Sequence, residues 1–178
     1  IQYADFAHWQ RQWLQGDALE SLLSYWRRQL DGAPTMLKLP AAKPRPAVPT
    51  SRAAFQNVEL SRQVTDGLKA LGRQTGVTLF MSLLAAFDVL LYRYGGQTDL
   101  PIGTPIANRN RLETEALIGF FINTLVLRVD LSGDPTFIEV LQRVRDVSLE
   151  AYAHQALPFE KLVEELQPDR SQAHSPLF

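Results

Sequence analysis

The segment from Asn123 to Leu131 alternates between apolar and other side chains with a period of two. Every second residue from Leu125 to Leu131 is Leu or Val, a pattern typical of a strand with one buried face. The segment from Asp99 to Ala107 is apolar more uniformly and predicts a buried strand, with Pro101 near its start, where a missing amide donor is tolerated. We predict a third strand from Ala53 to Leu60.

Apolar residues at helical spacing predict six helices around these strands. Ser61 and Thr78 are expected to cap two of them. Gly76 is expected to end the first of these two, and Gly95-Gly96 the second. The predicted helices run from about Tyr3 to Leu14, from Asp17 to Leu30, from Ser61 to Gly76, from Thr78 to Tyr94, from Asp134 to Pro158, and from there to Leu166. Helices alternating with strands indicate the α/β class, with helices layered over a sheet.

The helix from Leu79 to Tyr94 is apolar on nearly every side. It contains Ser82, Asp88 and Arg93 and is short for a membrane span, so we predict a core helix covered on both flanks. Two other segments are expected to be irregular. Residues 34–50 contain five prolines and form either a flexible linker or an extended arm packed on the surface, and the polar residues 108–115 form a loop.

Composition fits one globular domain of 178 residues. A formal net charge of −1 gives no general attraction to nucleic acid or to anionic membranes. The chain has no cysteine, which excludes disulfides, thiol nucleophiles and cysteine metal sites. The first residues show no basic leader followed by an apolar core, so no secretory signal is expected.

Self-contained catalytic motifs are absent from the sequence. It has no Gly-x-Ser-x-Gly elbow and no Gly-rich loop ending in Lys-Ser/Thr, and Gly103-Thr104-Pro105 is expected to form a turn. The three histidines, His8, His154 and His174, do not have metal-ligand spacing. His154 lies near a helix end, where a structural role is favoured over general-base catalysis.

Four sequence blocks instead resemble, in order, the motifs of one family. They are Tyr3-Ala4-Asp5-Phe6-Ala7-His8-Trp9, then Ile118-Gly119-Phe120-Phe121-Ile122-Asn123-Thr124-Leu125, then His154-Gln155-Ala156-Leu157-Pro158-Phe159-Glu160, and Arg170 followed by Pro176-Leu177-Phe178. Together they resemble the condensation domains of nonribosomal peptide synthetases. Ala156 stands where the third motif usually has an acidic residue. The family's His-His-x-x-x-Asp-Gly motif is absent, and the resemblance implies that the catalytic histidine lies in an N-terminal half that this chain does not contain.

The resemblance implies a chloramphenicol-acetyltransferase-like two-layer α/β sandwich, of which residues 1–178 are the C-terminal half, truncated at both ends. It implies amide formation between donor and acceptor aminoacyl or peptidyl thioesters, although the isolated chain is expected to be inactive. The thioesters are carried on the phosphopantetheine of donor and acceptor carrier proteins, and no cofactor is bound directly. Further expected partners are the N-terminal half of the domain and an adjacent adenylation domain. The expected location is the cytoplasm, and neither nucleic acid nor a membrane is an expected partner.

The resemblance also assigns roles to residues. The substrate tunnel is expected to be lined by Gly119, Phe121, Asn123 and Thr124, and Arg109 and Arg111 are expected to contact phosphopantetheine or a carrier protein unless they are simply solvated. Arg128 is expected to pair with an acid. Structural roles are expected for Tyr3, Asp5, Trp9, His154, Gln155, Pro158, Phe159, Glu160, Arg170 and Pro176.

Three alternative functions remain open at this stage. The first alternative is a non-catalytic relative that recruits partner proteins. The second is an epimerase-like relative, and the third is an acyltransferase that is independent of carrier proteins. An intact His-His-x-x-x-Asp-Gly motif upstream would favour the condensing enzyme, and a degenerate one would favour recruitment.

Overall fold

The computed structural model describes residues 1–40, 54–168 and 176–178. Within these ranges the chain forms seven helices and two strands, and the order of elements agrees with the α/β prediction. The elements are α1 (Tyr3–Trp13), α2 (Gly16–Leu30), α3 (Arg62–Thr75), α4 (Leu79–Gly95), β1 (Asp99–Ile106), α5 (Leu112–Glu115), β2 (Asn123–Asp130), α6 (Phe137–Ala153) and α7 (Phe159–Leu166).

The predicted caps of α3 and α4 are confirmed. The Ser61 hydroxyl accepts a hydrogen bond from the Val64 amide at 3.3 Å, and the Thr78 hydroxyl accepts one from the Met81 amide at 3.2 Å. Gly76 and Gly96 end the two helices with positive φ values of 70° and 71°, a backbone conformation that costs glycine little.

Two predicted helix starts and one predicted loop are wrong in detail. Gln15, and not Asp17, is the N-cap of α2, so Asp17 lies in the first turn. Helix α6 begins at Phe137 because Thr136 and Glu139 form a reciprocal capping box, which places Asp134 before the helix. The polar segment 108–115 also contains the short helix α5.

Strands β1 and β2 form an antiparallel pair in which Asp99 is opposite Asp130. The Leu131 amide donates to the Thr98 carbonyl, so even-numbered residues of β1 direct their backbone polar groups towards β2. Odd-numbered residues of β1 therefore direct theirs away from β2, and two of them, Pro101 and Pro105, have no amide hydrogen to offer. Within the described residues this outer edge of β1 pairs with no strand.

The core is centred on β2, which α6 and α7 contact. Side chains on both faces of β2 are buried, including Leu125, Val126 and Leu127 at 0–1% exposure. Trp26 of α2 is 1% exposed and donates its indole N–H to the His154 carbonyl, which ties α2 to the end of α6. The buried stripes of α2 and α6 thus pack where the helical spacing predicted them.

Helix α4 is covered on one flank only among the described residues, which corrects the predicted coverage of both. Its inner face includes Ala85 and Asp88, each with 0% exposure, whereas Phe80, Leu83 and Leu90 on the outer face are 41–49% exposed. The contacts of α4 are chiefly with α6 and α3. Apolar character on every side therefore did not identify which flank lies against other elements.

Two strand predictions and one turn prediction are also corrected. Gly103-Thr104-Pro105 lies within β1 and forms no turn. Residues 54–60 form no strand, and Phe55 and Val58 are 97% and 79% exposed. Among the described residues no strand lies beside this segment to supply hydrogen bonds. Strand β1 is only partly buried, with Leu100 as its one fully buried residue, because it is paired on one edge. Ala53 lies outside the described residues.

The described part of the proline-rich connector supports the packed-arm alternative. The Gln97 side chain accepts a hydrogen bond from the Lys38 amide at 2.5 Å and donates to the Met36 carbonyl at 3.2 Å. These bonds hold residues 36–38 against the turn between α4 and β1. Residues 41–53 lie outside the described ranges.

Among the described residues, no single helix has the length and hydropathy needed to cross a membrane. Helices α3 and α4 satisfy these criteria only when taken together, and they are bent by 103° at the break between them.

Candidate functional site

Asn123, the first residue of β2, uses every hydrogen-bonding position of its side-chain amide. Its Nδ2 donates to the carbonyls of Gln155 at 3.0 Å and Leu157 at 2.8 Å. Its Oδ1 accepts from the amides of Thr124 and Phe159, both at 2.9 Å. The side chain is 6% exposed, so these bonds replace water almost completely.

The contact with Phe159 makes Asn123 a cap for a helix that is distant in sequence. Helix α7 begins after Pro158, which makes no side-chain capping bond. Asn123 supplies the missing acceptor from the neighbouring strand and at the same time holds the two preceding carbonyls. One amide therefore joins the second and third sequence blocks, and this explains why an Asn is placed at a strand start.

Gly119 and Phe121 form a close contact with α1. The Tyr3 and Phe121 rings meet edge to face with centroids 5.2 Å apart, and the Tyr3 hydroxyl donates to the Phe120 carbonyl at 3.0 Å. A Cβ on Gly119 would lie 2.7 Å from Cγ of Tyr3, which is closer than carbon atoms can approach. The glycine is needed here because the Tyr3 ring lies directly against the backbone.

Gly119→Ala is therefore expected to displace Tyr3 and to lower the free energy of unfolding by about 1–3 kcal/mol, the usual cost of overpacking. Urea unfolding measures the cost, and the Tyr3–Phe121 ring contact can be followed by NMR. Gly67→Ala is the control without overpacking, because a Cβ there meets nothing within 4 Å. Since Gly67 lies inside α3, this change should raise stability by about 0.5–1 kcal/mol. An unchanged stability and ring contact in Gly119→Ala would contradict the expectation.

Arg109 and Arg111 both stack on aromatic rings, but their side chains differ in their other contacts. Arg109 lies 4.2 Å from the Phe121 ring centre and also donates to the Thr114 carbonyl. The Arg111 guanidinium lies 4.1 Å from the Trp9 ring centre and makes no hydrogen bond or ion pair with another described residue. Arg109 thus has one guanidinium nitrogen engaged by the protein, whereas Arg111 keeps all its N–H donors available to an external anion.

Arg128 pairs with an acid, as predicted from the sequence. It makes a two-bond contact with the Asp99 carboxylate at 2.7 and 2.8 Å. The hydrogen bond from Arg128 to Asp99 raises the pKa of the guanidinium above its usual value, while partial burial opposes that shift. Arg128 also donates to the carbonyls of Gln29 and Asp31, so it connects the sheet to the end of α2.

The histidines show no catalytic arrangement among the described residues. His154 is the C-cap of α6, its Nδ1 lies 2.8 Å from the Glu150 carbonyl, and its ring stacks on Tyr25 at 3.9 Å. His8 is exposed on α1. His174, like Arg170, lies outside the described residues.

Other block residues occupy positions with structural contacts. The Asp5 carboxylate accepts from the Gln2 amide at 2.8 Å at the start of α1, and the Gln155 side chain donates to the Tyr152 carbonyl at 2.8 Å. Glu160 is exposed in the first turn of α7, and Pro176 is half-buried before the buried Leu177.

Two cavities lie beside these residues. The larger, about 430 Å³, is bounded by α1, α2 and the connection from β1 to α5. The smaller cavity, of about 110 Å³, is lined by Tyr3, Phe120, Phe121 and Asn123. Phe6, Gln10 and Asn108 line both cavities. No group of three or more His, Cys, Asp or Glu with metal-binding geometry occurs among the described residues.

Several of these residues had no signal in the sequence. Gln10, Asn108 and Asn110 reach the larger cavity only because α1 folds against the connection from β1 to α5. Asn108 has a φ of 51°, a conformation that Asn tolerates better than most residues, and no local pattern indicated it. Ala156 lines the same cavity, at the position where the sequence block departs from the family motif.

Comparisons with known proteins give consistent results. A family model described as "Condensation domain" matches residues 1–178. A linear gramicidin synthase polypeptide of Brevibacillus parabrevis is 59% identical over 100% of this chain, which spans 2% of that protein. The X-domain from teicoplanin biosynthesis, solved in complex with OxyB, has a TM-score of 0.94 and 34% identity over 100% of this chain and 40% of that one. The four-domain nonribosomal peptide synthetase AB3403 has a TM-score of 0.86 and 30% identity over 90% of this chain and 12% of that one.

Proposed function

Because this chain belongs to the condensation domains of nonribosomal peptide synthetases, we propose that it forms one wall of the passage in which an amide bond is made. The observation that carries the proposal is the match of the family model over all 178 residues. The chain spans only a small share of its curated relatives, and the activity needs the rest of a condensation domain.

In the proposed reaction, the amine nitrogen of the acceptor attacks the carbonyl carbon of the donor thioester. A C–N bond forms, the C–S bond breaks, and the thiol leaves with a proton. This chemistry needs positioning and proton transfer and no covalent enzyme intermediate, which agrees with the lack of a nucleophile motif. The catalytic histidine comes from the N-terminal half of the domain.

We assign Gly119, Phe121, Asn123 and Thr124 to the wall of the passage. The fully engaged amide of Asn123 supports a positioning role, in which the residue holds the connection from α6 to α7 against β2. The partners are the N-terminal half, donor and acceptor carrier proteins bearing phosphopantetheine, and an adjacent adenylation domain.

A segment exchange tests this proposal. The corresponding 178 residues of the matching domain in the linear gramicidin synthase polypeptide are replaced by this chain, which is 59% identical. Dipeptide formation from two carrier-bound aminoacyl thioesters is then measured by mass spectrometry. We expect turnover within about tenfold of the parent domain. A chimera that melts like the parent but forms no dipeptide would contradict the proposal.

Recruitment of a partner protein is the second candidate, and the similarity to an X-domain solved with OxyB favours it. The equivalent exchange into the teicoplanin X-domain tests it, with OxyB binding as the measurement. If this chain recruits partner proteins, the chimera should bind OxyB with the affinity of the parent X-domain. A folded chimera that no longer binds OxyB would remove this candidate.

A further inference from the structure

The charge that lines the larger cavity is a single cation. Among the described residues of its wall, Arg111 is the only charged one. The guanidinium lies 4.1 Å from the Trp9 ring centre and makes no hydrogen bond or ion pair with another described residue. The cavity therefore presents a cation that is positioned by an aromatic ring and whose N–H donors are available to an anion.

Aromatic and carboxamide side chains surround this cation. The rings of Trp9 and Trp13 stack with centroids 5.5 Å apart and supply an apolar wall. The carboxamides of Gln10 and Asn108 also line the cavity and make no hydrogen bond with another described residue. The volume of about 430 Å³ is typical of sites for small organic molecules. The cavity thus suits a small organic group with a short apolar stem and an anionic end.

Ala156 contributes an uncharged part of the same wall. Asn123 binds the carbonyls of its two neighbours, Gln155 at 3.0 Å and Leu157 at 2.8 Å, so the backbone at this position is fixed. An acid here, as in the usual form of the third sequence block, would bring a carboxylate into the cavity that contains Arg111. That carboxylate would attract the guanidinium and repel an anionic ligand.

The larger cavity is continuous with the region assigned to the passage wall. Phe6, Gln10 and Asn108 line both cavities, and Phe121 and Asn123 line the smaller one. A substrate held along the passage wall would therefore have the larger cavity within reach of its side chain.

We infer that the larger cavity selects aminoacyl substrates with an acidic side chain, and that Ala156 determines this specificity by leaving Arg111 without a competing carboxylate. The inference rests on the proposed function and names the substrate class of that site. The recognised group is the side chain of the amino acid, which differs between substrates. The part that all carrier-bound substrates share has no role in the discrimination.

Two carboxylates outside the cavity limit the size of this preference. Asp5 and Glu113 line a separate depression that also contains Arg111, and neither lies within ion-pair distance of it. Both lower the local positive potential, and Arg111 is exposed to water. We therefore expect a preference of about fivefold, the effect of one solvent-exposed charged contact.

Tryptophan fluorescence of the full chain measures binding directly, because two of its three tryptophans line the cavity and Trp26 is buried elsewhere. The probes are the α-methyl esters of N-acetylglutamate, N-acetylglutamine and N-acetyllysine, which differ only in their side chains, together with acetate. We expect the glutamate probe to bind about fivefold more tightly than the glutamine probe, and the lysine probe to bind most weakly.

Two substitutions at position 156 separate the effect of charge from that of size. Ala156→Asp should abolish or reverse the preference for the glutamate probe, whereas Ala156→Asn fills the same space without a charge and should retain it. Arg111→Gln should also abolish the preference. Arg62→Gln, on the exposed start of α3, should leave all affinities unchanged. Circular dichroism verifies that each variant is folded.

Equal binding of the glutamate and glutamine probes by the parent chain would overturn the inference, as would an unchanged preference in folded Ala156→Asp. An equal loss in Ala156→Asn and Ala156→Asp would overturn the role of charge at this position. Acetate binding as tightly as the glutamate probe would overturn the assignment to an amino acid side chain.

The same comparison in the chimera, with glutamate and glutamine tested in turn as donor and as acceptor, identifies which substrate enters the cavity. An active chimera without a preference for either position would refute only this inference. A folded but inactive chimera, made with a chain that binds the glutamate probe selectively, would refute only the proposed function.

Discussion

Replacing Asn123 with alanine will lower the free energy of unfolding by about 3–4 kcal/mol. The change removes the donor for two carbonyls, those of Gln155 and Leu157, and the acceptor for the Phe159 amide. The region is shielded from solvent, so water replaces these bonds poorly and each group left unpaired costs about 1–3 kcal/mol. The loss will be concentrated at the start of α7, where Asn123 supplies the helix cap.

Urea unfolding of the chain measures this loss, and hydrogen exchange at the Phe159 amide locates it. Asn123→Asp keeps an acceptor for Phe159 but places a carboxylate oxygen against two carbonyls, so it should cost at least as much. Asn110→Ala is the control, because Asn110 is exposed and its side chain makes no hydrogen bond with a described residue. Asn123→Ala with parental stability and a protected Phe159 amide would refute the positioning role.

Asp88 is expected to make the stability of the chain depend strongly on pH. Its carboxyl has 0% exposure, and neither oxygen has a hydrogen-bond partner among the described residues. Burial raises the pKa of Asp88 from 3.8 to about 7. Below about pH 3 the carboxyl is mostly protonated in both the folded and the unfolded chain, and it has almost no effect on stability. Between about pH 4 and pH 7 only the unfolded chain ionises, so stability falls as the pH rises and then levels off.

The difference in unfolding free energy between Asp88→Asn and the parent isolates this effect, because Asn does not titrate and other groups cancel. At 1.36 kcal/mol per pKa unit, the difference should shift in favour of Asp88→Asn by about 4 kcal/mol between pH 4 and pH 8. Asp66→Asn, at an exposed site on α3, is the control for the substitution itself. A flat difference for Asp88→Asn would show that the buried carboxyl does not titrate in this range.

Local rules predicted the helices well because the signals act locally. Ser61 and Thr78 bond to amides three residues away, and Gly76 ends its helix through its own backbone angle. Residues 54–60 were wrongly predicted as a strand because a strand requires a neighbour, and pattern alone cannot show whether one is present. The outer flank of α4 was misjudged for the same reason, since apolar residues there do not reveal what lies against them.

In the candidate site, too, the sequence identified single residues and segments, and only the structure showed the contacts between them. The sequence blocks identified Asn123 and the segment around Pro158 separately, but the bonds between them join residues 32–36 positions apart. The distinction between Arg109 and Arg111 also required the structure, because both are arginines in one polar segment and only their contacts differ. Asp88 gave no sign of its burial, since an acid in an apolar helix is compatible with either flank.

The prolines of β1 have a consequence for handling the protein. On the outer edge of this strand only Asp99 and Gly103 present amide hydrogens, because Pro101 and Pro105 have none. Another chain that tried to add a strand here would leave half of its acceptors on that side without donors. This edge therefore resists the addition of strands from other chains, which leads to fibrils and precipitates. We expect concentrated preparations to remain free of β-sheet aggregates that begin at this edge.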